Sequence, residues 1–185
     1  MSHAPAGCGG DGPAGTVGSI SCSSTDFAKL SAELLGAGTA VRFEAHGASM
    51  APLVRDGDVL AVRPADPGSI RLGDLVLVTD EHGRPLVHRV IRRTTGREGI
   101  RFTVQGDQVS RPDGVIPAAQ VYGRVTTIER AGACIEVNRP SLRVLGWAAA
   151  LRSRWNLRRG HGGRHAYRLA AGWVRKMPAF SKHLA

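Results

Sequence analysis

Ser49 lies in a stretch of the chain whose composition suits a sharp, fixed loop. Residues 47–52 read G-A-S-M-A-P, and residues 55–58, R-D-G-D, turn the chain into a second β-rich run. Gly47 can adopt backbone angles closed to other residues, and Pro52 fixes its own φ angle. Such a loop can hold the Ser49 hydroxyl where a base and a substrate both reach it. Because most loop serines only cap or turn the chain, the hypothesis of a nucleophile depends on a suitable base.

A serine nucleophile needs a base to take its proton and a third group to orient that base. The lysines lie outside the β-rich region, at positions 29, 176 and 182, so a Ser–Lys dyad within the sheet is not available. Histidine is available at His88 in the run L-V-H-R-V-I, where strand alternation turns its side chain away from the face of its two neighbours. His46 lies too close to Ser49 along the chain, and His82 lies in a predicted turn. His88 is therefore the candidate base.

Carboxylates follow where the next predicted strand ends. Residues 104–113 read V-Q-G-D-Q-V-S-R-P-D, which places Asp107 in a Gly-Asp turn and a further aspartate at Asp113. Either carboxylate could serve the site as an acceptor for an imidazole N–H.

In this order the motifs resemble the S26 signal peptidase clan. They are G-x-S-M-x-P, R-D-G-D, G-D-L-V-L-V, V-H-R-V-I and Q-G-D with a further aspartate, and they cover about residues 40–130. The chain looks like the histidine branch of endoplasmic-reticulum and archaeal signal peptidases rather than the bacterial lysine branch. The resemblance implies an S24/S26-type serine endopeptidase, a hydrolase that processes a precursor, leader or signal peptide. It also implies the β fold shared by self-cleaving DNA-damage repressors.

The resemblance implies a role for each candidate side chain. Ser49 would be the nucleophile, His88 the base, Asp113 the third catalytic member and Asp107 a supporting carboxylate. The oxyanion and substrate loop would comprise four of the residues in the first motif: Gly47, Ser49, Met50 and Pro52.

The chain departs from the family pattern at Gly47. The Ser49 backbone N–H would hold the oxyanion, and the family often adds a serine hydroxyl two residues before the nucleophile. Here that position is glycine, so the second oxyanion donor has no candidate in the sequence.

The elements that must position these groups are mainly strands. We predict a mainly β, antiparallel, partly barrel-like fold with a short helix ending at Gly36 and a basic helical tail. The predicted strands lie near 41–46, 58–63, 74–79, 85–94, 100–105, 121–129 and 133–138. The predicted units are a disordered segment (1–23), an S24/S26-like β domain with its leading helix (24–138) and an amphipathic tail (139–185).

The charge of the chain is concentrated in that tail. The net charge is +10, yet residues 139–185 hold eleven Arg and Lys and no acidic residue. Two apolar patterns of helical period occur there, one with Trp147 and Trp155 and one with Trp173. We expect the tail either to lie on an anionic membrane surface or to pack on the domain with its arginines solvated. Gripping an acidic precursor peptide or a nucleic acid is a further option, with nucleic acid the less favoured.

The remaining composition narrows the class of protein. No apolar run is long enough to cross a membrane and no signal peptide is evident, so we expect a cytoplasmic or peripherally membrane-associated protein. Cys8, Cys22 and Cys134 have neither metal-ligand spacing nor the density of a disulfide scaffold, which favours a reducing compartment. We expect no cofactor and no metal.

Two non-enzymatic alternatives stay open from the sequence. A repressor-type regulatory domain is disfavoured because the strand lysine of a Ser–Lys dyad and a helix-turn-helix are both missing. A catalytically degenerate peptide-binding module is favoured only by the glycine at position 47.

Overall fold

A computed structural model describes residues 23–159, and over these residues eight strands form one antiparallel sheet. The strands are β1 (Val41–Glu44), β2 (Val59–Arg63), β3 (Leu75–Thr79), β4 (Pro85–Gly96), β5 (Gly99–Gln105), β6 (Gly114–Pro117), β7 (Val121–Arg130) and β8 (Ala133–Glu136). Neighbouring strands run in the order β1-β2-β7-β3-β4-β5-β6, and β8 pairs with β7. The sheet curls into a half-barrel, which confirms the predicted mainly β, partly barrel-like fold.

Two α-helices flank the sheet, α1 (Ser24–Gly36) and α2 (Pro140–Arg159). Single 3₁₀ turns occur at Pro67–Ser69 and Ala118–Gln120. The α1 cap is Ser23, whose hydroxyl accepts a hydrogen bond from the Asp26 N–H at 3.2 Å. The predicted short helix ending at Gly36 is thus confirmed. The segment before residue 23 and the second helical pattern of the tail, with Trp173, lie outside the described residues.

One strand was missed by the sequence prediction. Gly114–Pro117 reads G-V-I-P and forms β6, which pairs with β5 at the sheet edge. Four residues bounded by glycine and proline carry too little alternation to be recognised as a strand. The strand matters because it begins directly after Asp113.

Strand β3 lies at the centre of the core, buried on both faces. Leu75 and Leu77 point into one apolar cluster, while Val76 and Val78 point into another, and none of the four is more than 1% exposed. Since successive side chains of a strand point to opposite faces, the two clusters cover the two sides of the curled sheet. Full burial of both faces fixes the register of β3 and of its neighbour β4.

Helix α2 packs on the domain through one face only. Leu142 is 8% exposed and Ala150 is fully buried, whereas Trp147 and Trp155 are 53% and 56% exposed. The contact is close because Gly146 meets Gly73: a Cβ atom added at Gly73 would lie 2.7 Å from the Gly146 carbonyl carbon. For α2, packing on the domain and lying on a membrane surface are therefore compatible, because one side of the helix is packed while its tryptophans are more than half exposed. Within residues 23–159, no helix is long and apolar enough to cross a membrane.

One covalent bond of the protein was not anticipated from the sequence. Cys134, on β8, is disulfide-bonded. The scattered spacing of the three cysteines gave no sign of this bond, because pairing depends on proximity in the fold and not along the chain.

The R-D-G-D motif takes part in a buried ion pair that holds the loop between β1 and β2, called here the nucleophile loop after the candidate Ser49, to β7. The Asp58 side chain is 3% exposed and accepts two hydrogen bonds from Arg130, at 2.7 and 2.6 Å. Asp58 also accepts from the Arg55 N–H at 2.7 Å. Because removal of one partner leaves the other charge buried without compensation, we expect Asp58→Ala to lower the free energy of unfolding by about 3–5 kcal/mol.

Urea unfolding of the variant measures this loss. The matched control is Glu81→Ala, which removes a carboxylate that is 83% exposed and should change stability by less than about 0.5 kcal/mol. Equal unfolding midpoints for Asp58→Ala and the unmodified chain would contradict the assigned role of the pair.

The turn between β3 and β4 is stabilised by Asp80. Its carboxylate accepts hydrogen bonds from the His82 and Arg84 N–H groups, each at 2.9 Å, and from the Arg84 side chain. Although burial acts to raise the pKa of Asp80, these hydrogen bonds and the charge of Arg84 together hold that pKa below its ordinary value.

A lowered folded-state pKa makes the stability contributed by Asp80 pH-dependent. The contribution is present above the pKa of the unfolded chain, about 3.9, and is lost as the pH falls through the lower folded-state value. The difference in unfolding free energy between the unmodified chain and Asp80→Asn should therefore shrink between about pH 5 and pH 3. Urea unfolding over that range measures it, with Glu81→Gln as the control in the same turn. A difference that stays constant or grows on acidification would exclude this role.

Candidate active site

Ser49 lies in the loop between β1 and β2, and its neighbours fix the shape of the loop. Gly47 has a φ of 96°, a value that L side chains rarely adopt, and its N–H donates to the Asp56 carboxylate at 2.8 Å. Met50 is 3% exposed and packs into the main apolar cluster. The Ala51–Pro52 peptide bond is cis. A buried residue directly after the serine and a hydrogen-bonded glycine before it leave Ser49 half-buried at the top of the loop.

His88 lies on β4 with its imidazole directed at the serine. Its Nε2 atom is 3.1 Å from the Ser49 Oγ, and the residue is 6% exposed. His88 is paired with Val76 on the neighbouring strand β3. Because burial fixes the register of β3 with β4, it also fixes the position of His88 in the sheet. The structure thus brings together the two residues that the sequence proposed as nucleophile and base.

Asp113 accepts a hydrogen bond from the other nitrogen of the same ring. The distance from its Oδ2 atom to the His88 Nδ1 is 2.5 Å, and its side chain is 21% exposed. The Asp113 N–H donates to the Val104 carbonyl at 3.1 Å, which holds the aspartate at the start of β6. An ionised carboxylate can only accept, so Nδ1 carries the proton of a neutral ring. Nε2 then presents its lone pair to the Ser49 hydroxyl.

Asp107 pairs with Arg89 and not with the imidazole of His88. It forms a paired set of hydrogen bonds with Arg89, from Nε at 2.8 Å and from Nη2 at 2.6 Å. The Arg89 side chain is only 4% exposed and its Nη1 donates to the Gly73 carbonyl at 2.8 Å. Asp107 can therefore support the site only indirectly, by holding Arg89 and by shaping the turn that follows β5.

The turn that follows β5 touches the nucleophile loop directly. The Gln108 N–H donates to the Ser49 carbonyl at 2.8 Å, and the Gln108 side chain donates to the Ala51 carbonyl at 3.2 Å. At Gly106 a Cβ atom would lie 2.9 Å from the Ser49 carbonyl oxygen and 3.0 Å from the His88 Nε2. The turn can approach both groups only because residue 106 has no side chain. The Q-G-D motif predicts the turn but gives no sign of this contact.

The loop leaves one candidate oxyanion donor available and excludes another. Among residues 23–159, no acceptor takes the Ser49 N–H. The Gly47 N–H is already engaged by Asp56, so it is not a second donor.

The two other described histidines stay apart from the site. His46 lies 3.9 Å from the Asp56 carboxylate with its side chain 76% exposed, and His82 is 66% exposed in the β3–β4 turn.

Metal binding has no candidate in the described part of the chain. Among residues 23–159, no group of three or more His, Cys, Asp and Glu side chains is arranged to hold a metal ion.

The Gly106 contact yields a test of the site geometry. We expect Gly106→Ala to displace the Ser49 loop, because the added Cβ atom would lie 2.9 Å from the Ser49 carbonyl oxygen, and backbone contacts under 3.0 Å force a shift. A displacement of about 1 Å in a catalytic group can lower the rate about 100-fold. The rate of covalent labelling of Ser49 by a fluorophosphonate measures the effect. Gly96→Ala is the matched control, since a Cβ atom there meets nothing within 4 Å. Equal labelling rates for the two variants would contradict the importance of this contact.

Comparison with known proteins places the chain in a family. Residues 11–125, more than half of the chain, match the family described as Peptidase S24-like. Neither the curated proteins nor the solved structures give a match. The matched range includes the nucleophile loop, His88, the turn after β5 and Asp113. The chain belongs to the Peptidase S24-like family.

Proposed function

We propose that the chain is a serine endopeptidase in which Ser49, His88 and Asp113 act as one catalytic unit. The observation that carries the proposal is a continuous chain of contacts, 3.1 Å from the Ser49 Oγ to the imidazole and 2.5 Å from the imidazole to the Asp113 carboxylate. This order of nucleophile, base and orienting acid is the arrangement that activates a serine at neutral pH.

In the proposed reaction the Ser49 Oγ attacks a peptide carbonyl while His88 Nε2 accepts the hydroxyl proton. The carbonyl oxygen gains the negative charge, which the Ser49 N–H stabilises by hydrogen bonding. The protonated imidazole then gives its proton to the amine as the C–N bond breaks, leaving an ester on Ser49. Water hydrolyses the ester with His88 again as base. Throughout, Asp113 keeps the proton on Nδ1 and stabilises the imidazolium.

A histidine base, rather than a lysine, is supported by the position of Lys29. That residue is exposed on α1, and the other two lysines of the chain lie beyond residue 159. Self-cleaving repressors with this fold use a lysine. We therefore assign the chain to a histidine type, similar to the endoplasmic-reticulum and archaeal signal peptidases in the order of its motifs.

We propose a precursor, leader or signal peptide as substrate, bound as an added strand. Within residues 23–159, parts of β1 and β4 each have an edge with no paired strand. Strand β1, which leads into the Ser49 loop, pairs there with β2 alone. The first residues of β4, 85–88, pair with β3, while the pairing of β4 with β5 begins only at Arg89. An extended peptide can add to either edge through main-chain hydrogen bonds.

A binding module without activity is the second candidate, and Gly47 is the observation that favours it. The family often has a serine hydroxyl at this position for the oxyanion, and here the N–H is also engaged elsewhere. Loss of one oxyanion donor lowers the rate of comparable enzymes by about 100- to 1,000-fold without removing the nucleophile. The two candidates therefore differ in whether Ser49 is reactive.

Fluorophosphonate labelling of the full chain separates them. We expect stoichiometric labelling at Ser49, none in Ser49→Ala, and a rate lowered about 1,000-fold or more in His88→Ala and Asp113→Asn. Because the three residues act as a unit, His88→Ala/Asp113→Asn should be little slower than the worse single variant. His82→Ala, an exposed histidine in a turn, is the matched control and should label like the unmodified chain.

Each contrary result has a defined meaning. An unlabelled Ser49 in the folded, unmodified chain would favour the binding module. An undiminished rate in His88→Ala would remove histidine from the mechanism, and a loss confined to Lys29→Ala would restore a lysine base.

A further inference from the structure

Among the side chains whose burial the structure describes, six large hydrophobic ones are exposed, and four of these lie on α2. They are Val144 (65% exposed), Trp147 (53%), Leu151 (37%) and Trp155 (56%). We refer to these four residues as the α2 stripe. Their spacing of three, four and four residues places them along one side of a helix with 3.6 residues per turn. Exposed apolar side chains that are scattered singly need no explanation, whereas a continuous row on one helix face indicates an interaction surface.

The opposite face of α2 is already occupied by the domain. Leu142, Gly146 and Ala150 are buried, and Gly146 lies against Gly73 and the Arg89 guanidinium. The close Gly73–Gly146 approach fixes the rotation of the helix about its own axis. This approach keeps the exposed part of the α2 stripe turned away from the buried face of the helix, and Val144 and Trp147 also border a cavity that Leu53 and Arg89 line on the domain side.

The charge of this region identifies the kind of partner. The helix sequence contains arginines at positions 143, 152, 154, 158 and 159, and no acidic residue occurs from position 137 to the end of the chain. A helix that combines a tryptophan-containing apolar side with many arginines matches the boundary of an anionic lipid bilayer. Apolar side chains enter the acyl region, and each basic side chain gains about 1 kcal/mol near the negative surface. An acidic peptide would match the charge as well, but it offers no acyl region for the tryptophan-containing side of the helix.

We propose that the α2 stripe binds the surface of an anionic membrane and holds the domain there peripherally. Arg89 contacts α2, and His88, its neighbour on β4, points to the opposite face of that strand. The imidazole that contacts Ser49 and the Arg89 side chain that α2 covers therefore project from opposite faces of β4, while Met50 of the Ser49 loop shares an apolar cluster with Leu142 of α2.

Co-sedimentation of the full chain with vesicles tests the proposal. The vesicles contain equal parts phosphatidylglycerol and phosphatidylcholine, and vesicles of phosphatidylcholine alone serve as the neutral comparison. We expect binding to the anionic vesicles only, weakened by salt because the attraction is screened. Val144→Ser/Trp147→Ser should bind roughly tenfold or more weakly, because burial of apolar area contributes part of the affinity. Val115→Ser, which removes a side chain that is 59% exposed on β6, is the matched control and should bind like the unmodified chain.

Several results would overturn the proposal. These are no binding to anionic vesicles by the unmodified chain, equal binding by the double variant, or equal and salt-independent binding to neutral vesicles. A second copy as the occupant would appear in sedimentation velocity as a dimer that the double variant abolishes. Vesicle binding that added duplex DNA eliminates at equal charge concentration would indicate a nucleic-acid surface instead.

Two further measurements keep the test independent of folding and of catalysis. Thermal unfolding of the double variant should match that of the unmodified chain, since both replaced side chains are exposed. If it does not, the single variant Val144→Glu takes its place, because a carboxylate in the stripe should also weaken binding to an anionic surface. The fluorophosphonate labelling rate of Ser49 should be the same in all variants. Failure of vesicle binding with intact labelling would therefore leave the proposed peptidase standing.

Discussion

The buried charge of Arg89 constrains the candidate site more than any other single group. A guanidinium cannot lose its proton inside a protein, so a side chain that is only 4% exposed needs partners for its charge and its donors. Asp107 supplies a matched pair of acceptors and the Gly73 carbonyl supplies a third. Separating such a pair leaves an uncompensated charge at a cost of about 3–5 kcal/mol. The turn that carries Asp107 is therefore held to β4, and α2 covers the pair from outside through Gly146.

A turn fixed in this way can position the nucleophile. Gly106 and Gln108 flank Asp107 in sequence, and both meet the Ser49 loop, one by its lack of a side chain and one by its N–H. The distance between serine and imidazole is thus set by main-chain contacts rather than by the hydrogen bond between the two side chains. On the other side of the serine, the side chain of Met50 is buried in the main apolar cluster. Three separate contacts, each unrelated to the reaction, thus determine the place of the nucleophile loop.

The strands and loops that carry the site could be predicted from the sequence, whereas contacts between residues distant in the chain, such as that of Arg89 with Asp107, could not. Strand alternation and turn residues located most strands, and Gly47 was correctly expected to have an unusual backbone conformation. Ser49 and His88 could be chosen from residue type and context, whereas the role of Asp113 came from family resemblance alone. Its position depends on β6, which is too short to leave a pattern. Likewise, nothing in the spacing of Arg89 and Asp107 indicates that they pair, because that contact arises from the curl of the sheet.

The carboxylate at position 113 suits a histidine base at position 88 better than it would suit a lysine base. A lysine base must first lose its proton, and desolvation in an apolar site promotes this loss. A carboxylate at hydrogen-bond distance has the opposite effect, since it stabilises the ammonium form. A free imidazole is mostly neutral near pH 7 without such assistance, and in the proposed mechanism it gains its charge when it takes the serine proton. The Asp113 carboxylate, 2.5 Å from Nδ1, therefore stabilises the charge at the moment it forms. In the proposed mechanism the acid suits the histidine, and none of the described strands carries a lysine that could take its place.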